Sequence, residues 1–349
     1  ALGAKRSDIR NQFLVEAAVL CVIGGAIGLS LAILAASIFE RLAEFPAPIG
    51  LDTAMMLGIA PAMDRAGFEA IDFTTSTHMA VAVRFSKQDP WERLRLFRAA
   101  APKTKLSFLT TGMRFISWET ASHELMEFSF RLLVNNGIDR FAVMDPMNNV
   151  AAMRTMADLT RKAGGSDIVA ALTFTLSPLH DDAHFADAAR QLTETGQFNR
   201  LYLKDPGGLV TPERARTLIP AIKAAITVPL EFHSHCTIGL APFSYPEAAQ
   251  LGATCLHTSS SAAANGTGQP AMTPTIANLR DLGLAVDVEQ DLVVEILGGR
   301  HHRVQPHRHD DAEVVRLHLR DVTGAHRVEH AVGDGSLHRA PQDVGVALV

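Results

Sequence analysis

An α/β fold behind one long hydrophobic helix is what this sequence predicts, and three observations carry the prediction. Seven short apolar runs, rich in β-branched or aromatic residues, recur at residues 70–75, 105–111, 140–147, 168–175, 200–206, 229–235 and 254–260, with helix-like segments between them. Charged and turn-forming residues gather where several of these runs end, which is where parallel strands hand over to loops. Ahead of them, residues 17–39 form a stretch of 23 residues without a charge, within a predicted hydrophobic helix at about 14–40.

The chain has 349 residues, 47% of them hydrophobic, and a formal net charge of −5. This length accommodates one β/α barrel of about 250 residues with extra segments. A pI near 6.3 gives no basic excess for a nucleic-acid partner. Three scattered cysteines, Cys21, Cys236 and Cys255, make no disulfide framework and fit a reducing compartment or simple burial.

Taken in order, residues 1–49 read as a membrane-type segment. The uncharged run is long enough to span a bilayer as a helix of transmembrane type, and Gly24 and Gly28 provide a small-residue pair at the spacing that lets helices approach closely. Lys5, Arg6 and Arg10 precede the run while Glu40, Arg41 and Glu44 follow it, so the positive-inside bias places the N-terminus in the cytoplasm. From residue 50 the pattern alternates. Residues 53–66 read as a helix, and Pro90–Ala100 as a helix opened by proline in its first turn. Seven strands separated by helices suit a barrel one strand short; an open doubly wound sheet gives the same string, so periodicity does not choose between them. Residues 296–349 are rich in His and Arg, with eight of the chain's fifteen histidines after residue 300. No metal-ligand spacing repeats there, and the segment is expected to be a poorly ordered tail, with residues 314–320 as its one candidate strand.

The chemistry concentrates between Arg200 and Cys236. Lys204 and Asp205 close one strand, and His233 and His235, at i and i+2, share a face at the end of the next. A His-x-His pair suits Zn, Mn or Co and calls for further ligands. The plainer readings are a Lys204–Asp205 pair, two ordinary core histidines, and a buried neutral thiol at Cys236.

The run Leu203-Lys-Asp-Pro-Gly-Gly-Leu-Val-Thr-Pro212, with His233-Ser-His-Cys-Thr-Ile-Gly239 and Asn265-Gly-Thr-Gly-Gln-Pro270, resembles the carboxyltransferase domain of the pyruvate carboxylase and oxaloacetate decarboxylase family. These are metal-dependent TIM-type barrels allied to hydroxymethylglutaryl-CoA lyase, and the likeness runs from about residue 50 to 295. The resemblance implies a barrel, a divalent metal held by Lys204 in carboxylated form with His233 and His235, and proton transfer between substrate and biotin by Thr267. For Thr267 a turn role in its glycine-rich loop is the plainer alternative. The resemblance also implies a small 2-oxo acid substrate, a separate biotin carrier protein with its biotin carboxylase, and a homo-oligomer. No Met-Lys-Met biotin-attachment motif occurs in the chain.

Two departures stand out. The family's first strand, with its Asp-Thr-Thr-x-Arg-Asp type of motif, is absent, so the first strand and one metal ligand are expected to be missing and two strand edges unpaired. Where pyruvate-using members carry a substrate arginine this chain has Thr111, with Trp118 where tyrosine is usual and His257 in place of an acidic residue. Asp145, Asn148 and Asn149 complete the pocket candidates, although such residues are also ordinary turn formers.

Residues 1–45 separately resemble an FtsX-like permease of the MacB type, and the join near residues 46–50 reads as a fusion. Three functions follow as expectations: a biotin-dependent carboxyltransferase or decarboxylase, weakened by truncation; a carbon–carbon lyase or aldolase on the same barrel without biotin; or a membrane-complex component with the barrel as passenger. The barrel belongs in the cytoplasm on the first two, and at a membrane if the N-terminal helix inserts.

Overall fold

The computed structural model describes residues 52–117, 119–260, 264–289 and 343–348, the last by backbone and strand pairing. The predicted membrane helix at 14–40, Trp118 and the candidate strand at 314–320 lie outside the described residues. Among the described residues no helix is long and apolar enough to cross a membrane.

Asp52 opens the compact unit that carries the fold. Its carboxylate accepts a hydrogen bond from Met55 N at 2.8 Å and starts α1 (Thr53–Arg65). The same device recurs along the chain. Side chains of Thr75, Asp89, Ser122, Asn149, Asp181 and Thr211 cap α2 (Ser76–Arg84), α3 (Pro90–Ala100), α4 (His123–Asn135), α5 (Val150–Lys162), α6 (Asp182–Thr193) and α7 (Pro212–Ala225). Each cap satisfies a backbone N–H that the first helical turn leaves without a partner, typically worth about 1 kcal/mol. The last two helices, α8 (Ala241–Gln250) and α9 (Met272–Asp281), start without a side-chain cap.

Between the helices run seven parallel strands: β1 (Ile71–Thr75), β2 (Leu106–Thr111), β3 (Arg140–Met144), β4 (Asp167–Thr173), β5 (Arg200–Asp205), β6 (Leu230–Ser234) and β7 (Cys255–Thr258). Each pairs with its successor in order. Every one of the seven runs read from the sequence is a strand.

The expectation of two unpaired edges is corrected. A short strand, β8 (Ala285–Val286), and a strand from the far end of the chain, β9 (Asp343–Leu348), complete the sheet. β9 lies parallel to β7, pairing Cys255–Thr258 with residues 345–348, and its last residue pairs with Ile71 of β1. Among the described residues eight strands therefore close a ring, with a segment that follows β1 to β7 in sequence lying between β7 and β1. Burying two parallel edges against a third strand removes exposed N–H and C=O groups, which is the physical reason for the closure.

Alternation sorts the side chains into two layers. Phe141, Val143, Ile168, Ala170, Leu172, Leu201, Leu203, Leu230, Phe232 and Leu256 face outward into the cores under the helices. The intervening positions turn into the ring, where Ala142, Val169, Ala171 and Tyr202 form a small apolar cluster. On β5, β6 and β7 the same inward columns carry Tyr202 and Lys204, Glu231 and His233, Cys255 and His257.

Candidate metal centre

Lys204, His233 and His235 meet at the C-terminal mouth of the ring. Lys204 and His233 are opposite each other in the β5–β6 register, and Lys204 Nζ lies 3.2 Å from His233 Nε2. His235 stands one residue past β6, where its backbone N–H donates to Asp205 O at 3.0 Å. Gly208, with φ +67°, lets the loop after β5 pass against this point, since a Cβ there would run into the His235 carbonyl oxygen.

The hydrogen bonds fix which nitrogen of each ring is free. Glu231 Oε2 accepts from His257 Nε2 at 3.0 Å, which leaves the lone pair of the His257 ring at Nδ1. His233 Nδ1 donates to it at 3.2 Å, which leaves His233 with its lone pair at Nε2. His235 Nδ1 donates to the Thr267 carbonyl at 2.5 Å, leaving its Nε2 free in the same way. Both free lone pairs converge on one atom, the Gln269 amide nitrogen, at 3.2 Å each. Gln269 is held there by Ser259, whose hydroxyl donates to its Oε1 at 2.9 Å.

Burial sets the charge states. His233 is driven well below the usual histidine range by burial, and next by the Lys204 charge. His235 is lowered mainly by burial, opposed by its bond to Thr267. Burial pushes the Lys204 amine down to about 8 against the opposing field of Asp72. For Glu231 burial acts upward but is outweighed by the hydrogen bond from His257 and the charges of Arg140 and Arg200, so its carboxyl stays below the ordinary value. Two neutral imidazoles with convergent lone pairs beside a readily deprotonated lysine are what a divalent cation requires, and the donor set fits one. Gln269 would have to yield its place.

Below this level lies a layer of ions. Arg140, 3% exposed, meets Glu69 at 2.7 Å, Asp167 at 3.1 Å and Glu231 at 3.6 Å, while Arg200 joins Glu231 at 3.3 Å and Glu69 at 3.0 Å. Glu231, Cys255 and His257 lie close enough together to suggest a second metal site. The two arginines already neutralise Glu231, and burial pushes the Cys255 thiol far up, so this trio anchors the histidine chain instead.

The other predicted residues fall elsewhere. Thr267 is exposed in the loop over the site and binds His235 through its backbone carbonyl, not its hydroxyl. His257 stands behind His233, its ring 4.9 Å from that of Tyr202 and tilted by 43°. Asp145 accepts from Met147 N at 2.9 Å and Asn149 N at 3.1 Å. Asn148, at φ +54°, ties its loop to β4 through two 2.8 Å bonds with the Thr173 backbone. Both do a turn's work. Thr111 lines a cavity at the mouth. Cys236 is buried and its thiol is raised by burial. Gln269, Glu231 and Tyr202 were not singled out in the sequence. Period-2 spacing from His233 to Glu231 and from Lys204 to Tyr202 was the available signal.

A parallel β/α barrel with neutral histidines and a lysine gathered at its C-terminal mouth defines a metal-site barrel of TIM type. Its homologues and structural neighbours are the carboxyltransferase domains of pyruvate carboxylases. The chain is 32% identical over 241 residues to one of the pyruvate carboxylase subunits of Methanocaldococcus jannaschii, covering 69% of this chain and 42% of that relative. It is 30% identical over 226 residues to the 2-oxoglutarate carboxylase large subunit of Hydrogenobacter thermophilus, covering 64% of this chain and 34% of the relative. The carboxyl transferase domain of Rhizobium etli pyruvate carboxylase, solved with pyruvate, superposes with a TM-score of 0.67 at 26% identity, over 72% of this chain and 43% of that one. The chain thus spans less than half the length of these relatives. Residues 1–63 match a different family, the FtsX-like permease C-terminal domain.

Proposed function

We propose that the barrel is the carboxyltransferase module of a biotin-dependent carboxylase or decarboxylase acting on a small 2-oxo acid. The observation that carries this reading is the convergence of His233 Nε2, His235 Nε2 and Lys204 Nζ, with both imidazoles neutral. A divalent metal held by these residues would polarise the keto oxygen of the acid and stabilise the enolate charge.

The chain's own residues supply the rest. Glu231 and His257 hold His233 in the tautomer that presents its Nε2 lone pair, and the Thr267 carbonyl does the same for His235. Lys204, with its amine pushed to about 8, has a neutral fraction near physiological pH. That fraction can attack CO2, forming a carbamate and releasing a proton, which converts a cation into an oxygen ligand. The exposed Thr267 hydroxyl would relay a proton: it would take one from the carbon next to the keto group while its own passes to the biotin nitrogen. In the same exchange the N–CO2 bond of carboxybiotin breaks and a C–C bond to the acid forms.

The test is exchange of labelled carboxyl between oxaloacetate and a biotin carrier. Exchange that depends on biotin and is lost in Thr267→Ala, with metal retained, is expected. Cleavage of a 2-oxo acid that proceeds equally without biotin would move the assignment to a lyase.

A further inference from the structure

The loop after β7 brings to the mouth one buried side chain that the proposed chemistry leaves unused, Gln269, which is 5% exposed. Its backbone is fixed on both sides. The Gly268 carbonyl accepts from Cys236 N at 2.7 Å, beside the histidines, and the Pro270 carbonyl accepts from Ser259 N at 3.0 Å, just past β7. The carbonyl of Gln269 itself accepts from Asn265 N at 2.8 Å, so the fold aims the side chain. Three observations give its amide a role. First, the amide nitrogen stands 3.2 Å from His233 Nε2 and 3.2 Å from His235 Nε2. Donors that share one divalent ion, each about 2.0–2.2 Å from it, stand roughly 3 Å from one another, so this atom lies where a further ligand lies and not where the ion does. Second, His233 Nε2 has one lone pair but two donors, since Lys204 Nζ also approaches it at 3.2 Å. Third, the group on the far side of the amide is a hydroxyl. Ser259 donates to Gln269 Oε1 at 2.9 Å, and a hydroxyl accepts as well as donates, so the amide can turn over and keep that bond.

We propose that Gln269 is itself a ligand of the divalent ion, binding through Oε1 once its amide has turned over. Without the ion, the NH2 group faces the two imidazoles and occupies their lone pairs. With an ion bound, N–H groups aimed at it are repelled, and Oε1, a carbonyl-type oxygen that divalent ions accept, takes their place while Nε2 donates to the Ser259 hydroxyl. Gln269 thus yields its place by rotation and not by leaving the site. The inference rests on the metal centre of the proposed function, and it adds an oxygen ligand from the β7 loop to Lys204, His233 and His235.

The test is titration of the full chain with Co2+ against a competing chelator, recording the visible absorption of the bound ion. Four proteins are compared: wild type, Gln269→Met, Gln269→Glu, and the His233→Ala, His235→Ala double variant, which sets the level of unrelated binding. Gln269→Met should weaken the histidine-dependent site by about tenfold or more and change the Co2+ spectrum, since losing a ligand costs at least as much as losing an outer partner. Gln269→Glu keeps an oxygen at the same reach and should restore affinity to the wild-type level or above. That rescue separates ligation from a loosened loop. Tighter binding in Gln269→Met would show that the amide obstructs the ion, and unchanged binding that it takes no part. Binding by Gln269→Glu as weak as that of Gln269→Met would show that no oxygen is needed there. Each of these outcomes overturns the proposal and leaves the metal centre standing. Co2+ binding that does not depend on His233 and His235 overturns the metal centre, and this ligand with it.

Discussion

At the scale of single residues, the centre depends on who holds whom. His233 is aimed by His257, and His257 by a Glu231 carboxylate that two arginines keep ionised. Replacing His257 with Gln should therefore lower metal affinity about 10- to 100-fold while leaving the fold intact, as competition titration with a chelator would show. Unchanged affinity would mean that His233 needs no orienting partner. Lys204 gives a pH signature. Its folded-state pKa of about 8 lies below its ordinary 10.5, so the unfolded chain holds the extra proton between those values. Burying the cation costs stability, on the order of 3 kcal/mol, below pH 8, and the cost is relieved as pH rises through 8 toward 10.5. Lys204→Met should raise the melting temperature at pH 7, lose most of that gain by pH 10, and abolish any effect of bicarbonate on metal affinity. A variant less stable than the wild type at pH 7 would show that Lys204 is not a burdened cation. These residues were partly legible. The His-x-His pair and Lys204 declared themselves by type and strand position, but Gln269 did not, because only the folded loop brings its amide between the two imidazoles.

At the scale of elements, strands were readable as short apolar runs, as in Arg140-Phe-Ala-Val-Met144, whose alternate residues Phe141 and Val143 face the helices while Ala142 faces the ring. Helix starts were readable from their caps, Asp89-Pro90 most plainly. The closing strand was not. Six residues within a tail dominated by His, Arg and Asp carry little periodic signal, and their pairing with β7 and β1 spans most of the chain. Sequence neighbours cannot announce a contact of that range. Removing residues 343–349 should lower the melting temperature by at least about 4 °C and promote aggregation through the freed edges of β1 and β7. A truncated chain that melts and sediments like the parent would show that β9 does not close the ring.

At the scale of the whole molecule, the barrel has the architecture of its carboxyltransferase relatives, with β9 pairing both β7 and β1. On the proposed function the metal would be held by His233, His235 and Lys204, and carboxylation of that lysine would become decisive, since it would supply an oxygen ligand. The most direct measurement is metal content by elemental analysis of the purified chain, dialysed with and without bicarbonate, beside the His233→Ala, His235→Ala double variant. The double variant keeps the histidine-rich tail, so metal held there cancels in the comparison. We expect about one more divalent ion per chain in the wild type than in the variant, with retention strengthened by bicarbonate. Equal metal in both proteins would contradict a metal centre at the mouth of this barrel.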